Sequence, residues 1–81
     1  MSPFGEHIVQ LATEMIRAHL GIHPNAADTS AGIGLWWLGK ESGSIPQDAL
    51  RLALERLKEE GALDSRVLPS GELLWFAPGN E

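Results

Sequence analysis

Residues 33–38, Ile-Gly-Leu-Trp-Trp-Leu, lie near the middle of this chain and carry two of its three tryptophans. On an α-helix successive side chains are about 100° apart, so these residues cover most directions around the axis. A helix that is apolar on most sides is normally buried on most sides. The segment therefore predicts a central helix that other elements enclose, or one that leaves a large side chain for a partner.

The length and composition of the chain limit what can surround this segment. Its 81 residues have room for one domain, which we expect to span residues 1–81. The chain has no cysteine, which excludes a disulfide, a thiolate zinc site and a cysteine nucleophile. No apolar run approaches the roughly 18 residues of a membrane span, and the N-terminus lacks the pattern of a signal peptide. We therefore expect a cytoplasmic protein without a membrane partner.

Helical spacing predicts the first two helices. Apolar residues recur every three or four positions in the N-terminal part, which predicts a helix over about residues 3–20: Phe4, Ile8, Leu11 and Met15. Ser2 and Pro3 are start signals and Gly21 is a stop signal. The second helix is expected over about residues 30–39, after Asp28 or Thr29 as N-cap. Gly32 and Gly34 each weaken it by about 1 kcal/mol relative to alanine.

A third helix and a hairpin complete the predicted fold. Ser44 and Gln47 fit a capping box that starts a helix over about residues 45–60, and Gly61 ends it. The apolar side chains of this helix form its buried stripe: Ala49, Leu50, Ala53, Leu54 and Leu57. Strand-like residues 66–68 and 73–76 flank a turn at 69–71, which predicts a β-hairpin over about residues 63–77.

The order of three helices and a two-stranded hairpin, an α+β arrangement, resembles the winged helix-turn-helix superfamily. Residues 44–50 look like the start of its third, "recognition" helix, residues 54–63 resemble the end of that helix, and residues 69–71 look like the tip of the wing. In members that bind DNA, the third helix enters the major groove. Carried over by position, the groove-facing residues would be Gln47, Asp48, Arg51, Leu52 and Glu55, with Ser70 and Glu72 at the wing tip.

The charge balance departs from the DNA-binding pattern of that superfamily. The chain has six lysines and arginines against eleven acidic residues, a formal net charge of -5. Proteins that bind duplex DNA neutralise its phosphates with lysine and arginine. The alternative function is nevertheless a DNA-binding regulator, with five contact candidates and Lys40 as a further cation: Gln47, Arg51, Arg56, Lys58 and Arg66.

A non-catalytic interaction module is the function that we expect first, acting on a protein partner or on a second copy of the chain. Large apolar residues are numerous for so small a core, and tryptophan is favoured where proteins meet. At least one of Trp36 and Trp37 should lie in the core; the sequence leaves open whether the other is also buried or is exposed to a partner. The interaction candidates are Trp36, Arg51, Leu52, Glu55 and Trp75.

Metal binding, a cofactor and catalysis are not expected. His19 and His23 are four residues apart, but Gly21 and Pro24 should break the helix that would align them, and His7 is remote. The sequence has no nucleophile elbow, phosphate loop or similar catalytic motif.

Overall fold

The computed structural model describes residues 5–38 and 45–78. Within these residues the fold is α+β, with three helices and one antiparallel sheet of three strands. None of the described helices has both the length and the hydrophobicity that crossing a bilayer requires. The elements in chain order are α1 (Glu6–Ile22), β1 (Ala27–Thr29), α2 (Ser30–Gly32) continuing into a π-helical turn (Ile33–Trp37), α3 (Gln47–Glu60), β2 (Asp64–Val67) and β3 (Leu73–Phe76).

Helix α1 runs beyond the predicted stop at Gly21. The helix ends at Ile22, and the backbone N–H of His23 still donates to the carbonyl of His19 at 2.8 Å. Gly21 is not among the glycines with positive φ, so its backbone stays helical and the predicted end was wrong. The predicted start signals, Ser2 and Pro3, lie outside the described residues.

The second helix begins as predicted and then changes type. The Thr29 hydroxyl accepts the N–H of Gly32 at 3.3 Å, and the Asp28 carboxylate accepts the N–H of Thr29 at 2.8 Å. After Gly32 the backbone forms a π-helical turn, in which hydrogen bonds span five residues instead of four. The prediction of one regular helix from residue 30 was therefore wrong; residue 39, its predicted end, lies outside the described residues.

Helix α3 confirms the predicted stripe and the predicted end. Gly61 has φ 86°, the left-handed conformation that glycine adopts most readily, and its N–H bonds back to Lys58. The start differs, because Pro46 occupies the N-cap and Gln47 is the first helical residue instead of the third. The predicted cap Ser44 lies outside the described residues.

The sheet has one strand more than the predicted hairpin. Strand β3 lies in the middle, paired antiparallel with β2 on one side and with β1 on the other. Strand β1 was not predicted: two of its three residues, Asp28 and Thr29, were expected to cap the second helix. Strand β2 starts earlier than predicted and excludes Leu68. The predicted turn is confirmed: Gly71 has φ 92°, and the N–H of Leu68 donates to the carbonyl of Glu72 at 2.7 Å.

The middle position of β3 explains why all four of its residues are apolar. Trp75 points to the helices and is 4% exposed. Leu74 and Phe76 point to the opposite face of the sheet, as side chains alternate along a strand. There they are partly covered by the loop before β1, with which they line a shallow pocket. Leu73, on the same face as Trp75, is 39% exposed, so three of the four side chains of β3 are buried or partly covered.

The core lies between the helices and the inner face of the sheet. Its members come from α1, the π-helical turn, α3, β3 and the segments next to them: Val9, Ala12, Ile16, Ile33, Trp37, Leu38, Ile45, Ala49, Leu50, Ala53, Leu54, Leu57, Leu63 and Trp75. Two ion pairs join α1 to α3 across the rim of this core, Arg56 with Glu6 and Arg17 with Glu60.

Gly32 and Gly21 make a matched test of this packing. A Cβ at Gly32 would lie 2.0 Å from Oδ1 of Asp28, whereas a Cβ at Gly21 meets nothing within 4 Å. We expect Gly32→Ala to lower the free energy of unfolding by about 1 kcal/mol, because it displaces the Asp28 carboxylate from the Thr29 N–H. Gly21→Ala should raise that free energy by up to about 1 kcal/mol.

Urea unfolding of the two variants measures both effects. In an Asp28→Ala background the clash is gone, so Gly32→Ala should become neutral or stabilising there. Equal stabilisation by both alanines in the wild-type background would show that the chain does not pack closely around Gly32.

Candidate interaction surface

Two adjacent side chains of the π-helical turn stand out of the fold. Leu35 is 67% exposed and Trp36 is 74% exposed, whereas Trp37 is 7% exposed and Ile33 is fully buried. The prediction that at least one of the paired tryptophans lies in the core is confirmed by Trp37, and Trp36 is the one that is exposed. We call the exposed pair the Leu35/Trp36 knob.

The knob is supported from behind by α1 and α3. The ring of Trp37 stacks on that of His19 in α1, with centroids 4.6 Å apart and an interplanar angle of 14°. On the other side, the open face of Gly34 lies against α3: a Cβ there would be 3.3 Å from Leu50 and 3.4 Å from Gln47. The turn that carries the knob is therefore held between two helices.

A groove between α3 and the β2–β3 hairpin is the second surface feature. It has a volume of about 470 Å³ and is lined by Ser30, Arg51, Leu54, Glu55, Gly71, Glu72, Leu73 and Trp75. Three of the predicted interaction residues, Arg51, Glu55 and Trp75, thus meet at one place. We call this feature the α3–hairpin groove.

Several predicted interaction residues are less available than expected. Trp75 forms part of the hydrophobic core, so its prediction as a surface residue was wrong. Leu52 is half-buried, packs against the core and does not line the α3–hairpin groove. Trp36 is exposed but also lies outside that groove. Leu35 and Leu73 were not predicted; the apolar character of residues 33–38 on all sides was the one signal for Leu35.

The predicted DNA-contact residues do not form one basic strip. Arg56 donates two hydrogen bonds to the Glu6 carboxylate on α1, and this guanidinium lowers the pKa of Glu6. Lys58 donates to the Ser65 hydroxyl at 2.7 Å. Arg66 lies over the ring of Phe76, 5.6 Å from its centroid, on the face of the sheet opposite Trp75.

Acidic side chains occupy the outward face of α3 between its cations. Asp48, Glu55 and Glu59 are exposed and, at about 100° per residue, lie within one quarter of the helix surface. Arg51 lies at one edge of this acidic sector and Arg56 beyond the other. The remaining predicted cation, Lys40, is outside the described residues.

Within the described residues no metal-ligating cluster indicates a further site, and no similar protein indicates one either. Within residues 5–38 and 45–78, no group of three or more histidine, aspartate or glutamate side chains is arranged to hold a metal ion. Comparison with protein-family models, with curated proteins and with solved structures found no match.

The two adjacent tryptophans should respond very differently to truncation. Trp36→Ala should change the free energy of unfolding by no more than about 0.5 kcal/mol, because the side chain is already in water. Trp37→Ala should cost about 3–5 kcal/mol, because it leaves a cavity beside Ile33 and His19. Urea unfolding followed by far-UV circular dichroism measures both.

Trp37→Phe keeps an aromatic ring in the cavity and serves as the milder variant if Trp37→Ala does not fold. Similar losses for Trp36→Ala and Trp37→Phe would contradict the assignment of one tryptophan to the surface and the other to the core.

Proposed function

We propose that the chain is a winged-helix protein-interaction module whose partner contact is centred on the Leu35/Trp36 knob. The order of α1, α2, α3 and the β2–β3 hairpin supports the winged-helix assignment. Strand β1 pairs with β3 of the hairpin and leaves the order of the helices and the hairpin unchanged. The proposal gives the domain no catalytic step, cofactor or membrane contact.

The exposure of Leu35 and Trp36 is the observation that carries the proposal. These two large apolar side chains are exposed to water next to each other, on a turn fixed between helices. Their exposure has a cost in solvation free energy, which contact with a partner would remove. Tryptophan is enriched among the residues that contribute most to binding. Because Trp37 and Gly34 fix the turn, little backbone freedom is lost when the knob is bound.

Charge favours a different protein over a second copy of the chain as the partner. The knob lies beside the first turn of α3, which carries the exposed Asp48 and continues into the acidic sector with Glu55 and Glu59. Two copies docked knob to knob would bring these carboxylates, and net charges of -5 each, towards one another. The complementary partner has an apolar pocket with basic side chains around it.

A DNA-binding role receives less support from the same residues. The acidic sector of α3 would face the phosphates if this helix entered a groove, at a cost in free energy. Arg56 and Lys58 are occupied by Glu6 and Ser65, and Arg66 lies on the far face of the sheet. Arg51 is thus the one candidate cation on the α3–hairpin groove.

Photo-crosslinking in the native cell tests the proposed contact. A benzophenone amino acid replaces Trp36 in one variant and Glu14, an exposed residue on α1, in the control. We expect a discrete adduct with one other protein from position 36 and no such adduct from position 14. The same adducts from both positions, or none from position 36, would contradict the proposal.

The mass of the adduct separates the two kinds of partner. An adduct of twice the mass of the chain would identify a second copy and overturn the preference for a different protein. Adding Leu35→Ser to the position-36 variant should weaken the adduct, since it removes the apolar neighbour but keeps the crosslinker.

Titration with a random-sequence DNA duplex at low salt tests the alternative. We expect no saturable binding in fluorescence anisotropy and no localised amide shifts in NMR spectra. Steeply salt-dependent binding, with shifts confined to residues 47–56 and 66–72, would show instead that α3 and the hairpin bind DNA.

A further inference from the structure

His19 and His23 lie together at the C-terminal end of α1. The sequence indicated that Gly21 would end the helix between them, but the helix continues to Ile22 and its last hydrogen bond joins His23 to His19. Two histidines four residues apart on one helical face can bind the same metal ion. Although His23 is the cap residue just beyond the helix, its ring lies 4.9 Å from that of His19, so the end of the helix does not separate the two rings.

We propose that His19 and His23 form a two-histidine site for a divalent transition-metal ion. The chain supplies two imidazole nitrogens, and the remaining coordination positions are open to water or to a ligand from outside. This site goes beyond the proposed function and does not depend on it.

The separation of the two rings fits chelation of a single ion. An ion about 2.0–2.1 Å from an imidazole nitrogen lies about 3.2 Å from the ring centre. Two imidazoles bound at right or tetrahedral angles then have their centres about 4.5–5.2 Å apart. The centroids of His19 and His23 are 4.9 Å apart. The separation of the ring centres is therefore the one that two imidazoles on a single ion require.

The electrostatic environment favours the neutral imidazole and a bound cation. Burial lowers the pKa of His19, and the neighbouring His23 lowers it further. Histidine ligates a metal through its neutral form. The C-terminal end of α1 adds the partial negative charge of the last carbonyl groups, which attracts cations.

The space around the two rings can hold the other ligands of the ion. A broad open groove lies there, lined by His19, Ile22, His23, Pro24, Asn25 and Ala26. The side-chain and backbone oxygens of Asn25 are ligands that could complete the coordination with water. An open site of this kind exchanges its ion readily, unlike a closed structural zinc site with four protein ligands.

Nitrogen ligands determine which ions the site should select. Imidazole suits zinc, copper and nickel, whereas magnesium and calcium prefer oxygen ligands. Among these ions copper(II) should bind most tightly, because affinities for a given nitrogen site generally peak at copper. The stack of His19 on Trp37 places an indole beside the site, so that copper should quench Trp37 fluorescence.

Calorimetric titration of the untagged full chain with zinc chloride and with nickel chloride tests the site at pH 7.5. Magnesium chloride is the control ion. The variants are His19→Gln and His23→Gln, with His7→Gln as the matched control near the other end of α1. Far-UV circular dichroism checks that each variant is folded, and His23→Gln leaves the ring that stacks on Trp37 in place.

We expect one zinc or nickel ion per wild-type chain and no magnesium. His19→Gln and His23→Gln should each weaken binding by at least about tenfold, because loss of a direct ligand costs no less than loss of a supporting contact. His7→Gln should bind like the wild type, and lowering the pH to 5.5 should release the ion. No saturable binding by the wild-type chain, or equal affinity for wild type and His23→Gln, would overturn the proposal.

Discussion

The burial of Ile33 and Trp37 in one π-helical turn fixes the middle of the chain against the helices on either side. These two side chains reach the core shared by α1 and α3, and the stack of Trp37 on His19 joins the turn to the end of α1. Leu35 and Trp36, which lie between them on the turn, are then directed outwards. The exposed Leu35/Trp36 knob and the buried contacts behind it are therefore two consequences of one backbone conformation.

Local signals predicted the elements that local chemistry determines. The end of α3 at Gly61 and the turn at Gly71 were predictable, because each requires positive φ at a glycine. Strand β1 was not, because it is three residues long and depends on pairing with the distant β3. The π-helical turn had no local signal either: Gly32 and Gly34 permit close packing, but which side packs is decided by Asp28, Leu50 and Gln47.

The candidate surfaces show the same division between local and tertiary information. Sequence placed Arg51 and Glu55 on the outer part of α3, where they line the groove, but could not reveal that Trp75 beside them lies in the core. It also gave no sign that Arg56 reaches across to Glu6. Tertiary contacts thus decide which lysines and arginines remain available to phosphate groups. They leave these residues without the single basic surface that DNA binding would need.

One tryptophan of three faces the solvent, and NMR spectroscopy of the indole N–H groups distinguishes it from the two buried ones. A soluble paramagnetic agent added to the ¹⁵N-labelled chain should strongly broaden the indole signal that Trp36→Phe removes. The other two signals, from Trp37 and Trp75, should persist, because these residues are 7% and 4% exposed. Equal broadening of the signals from Trp36 and Trp37 would contradict the account.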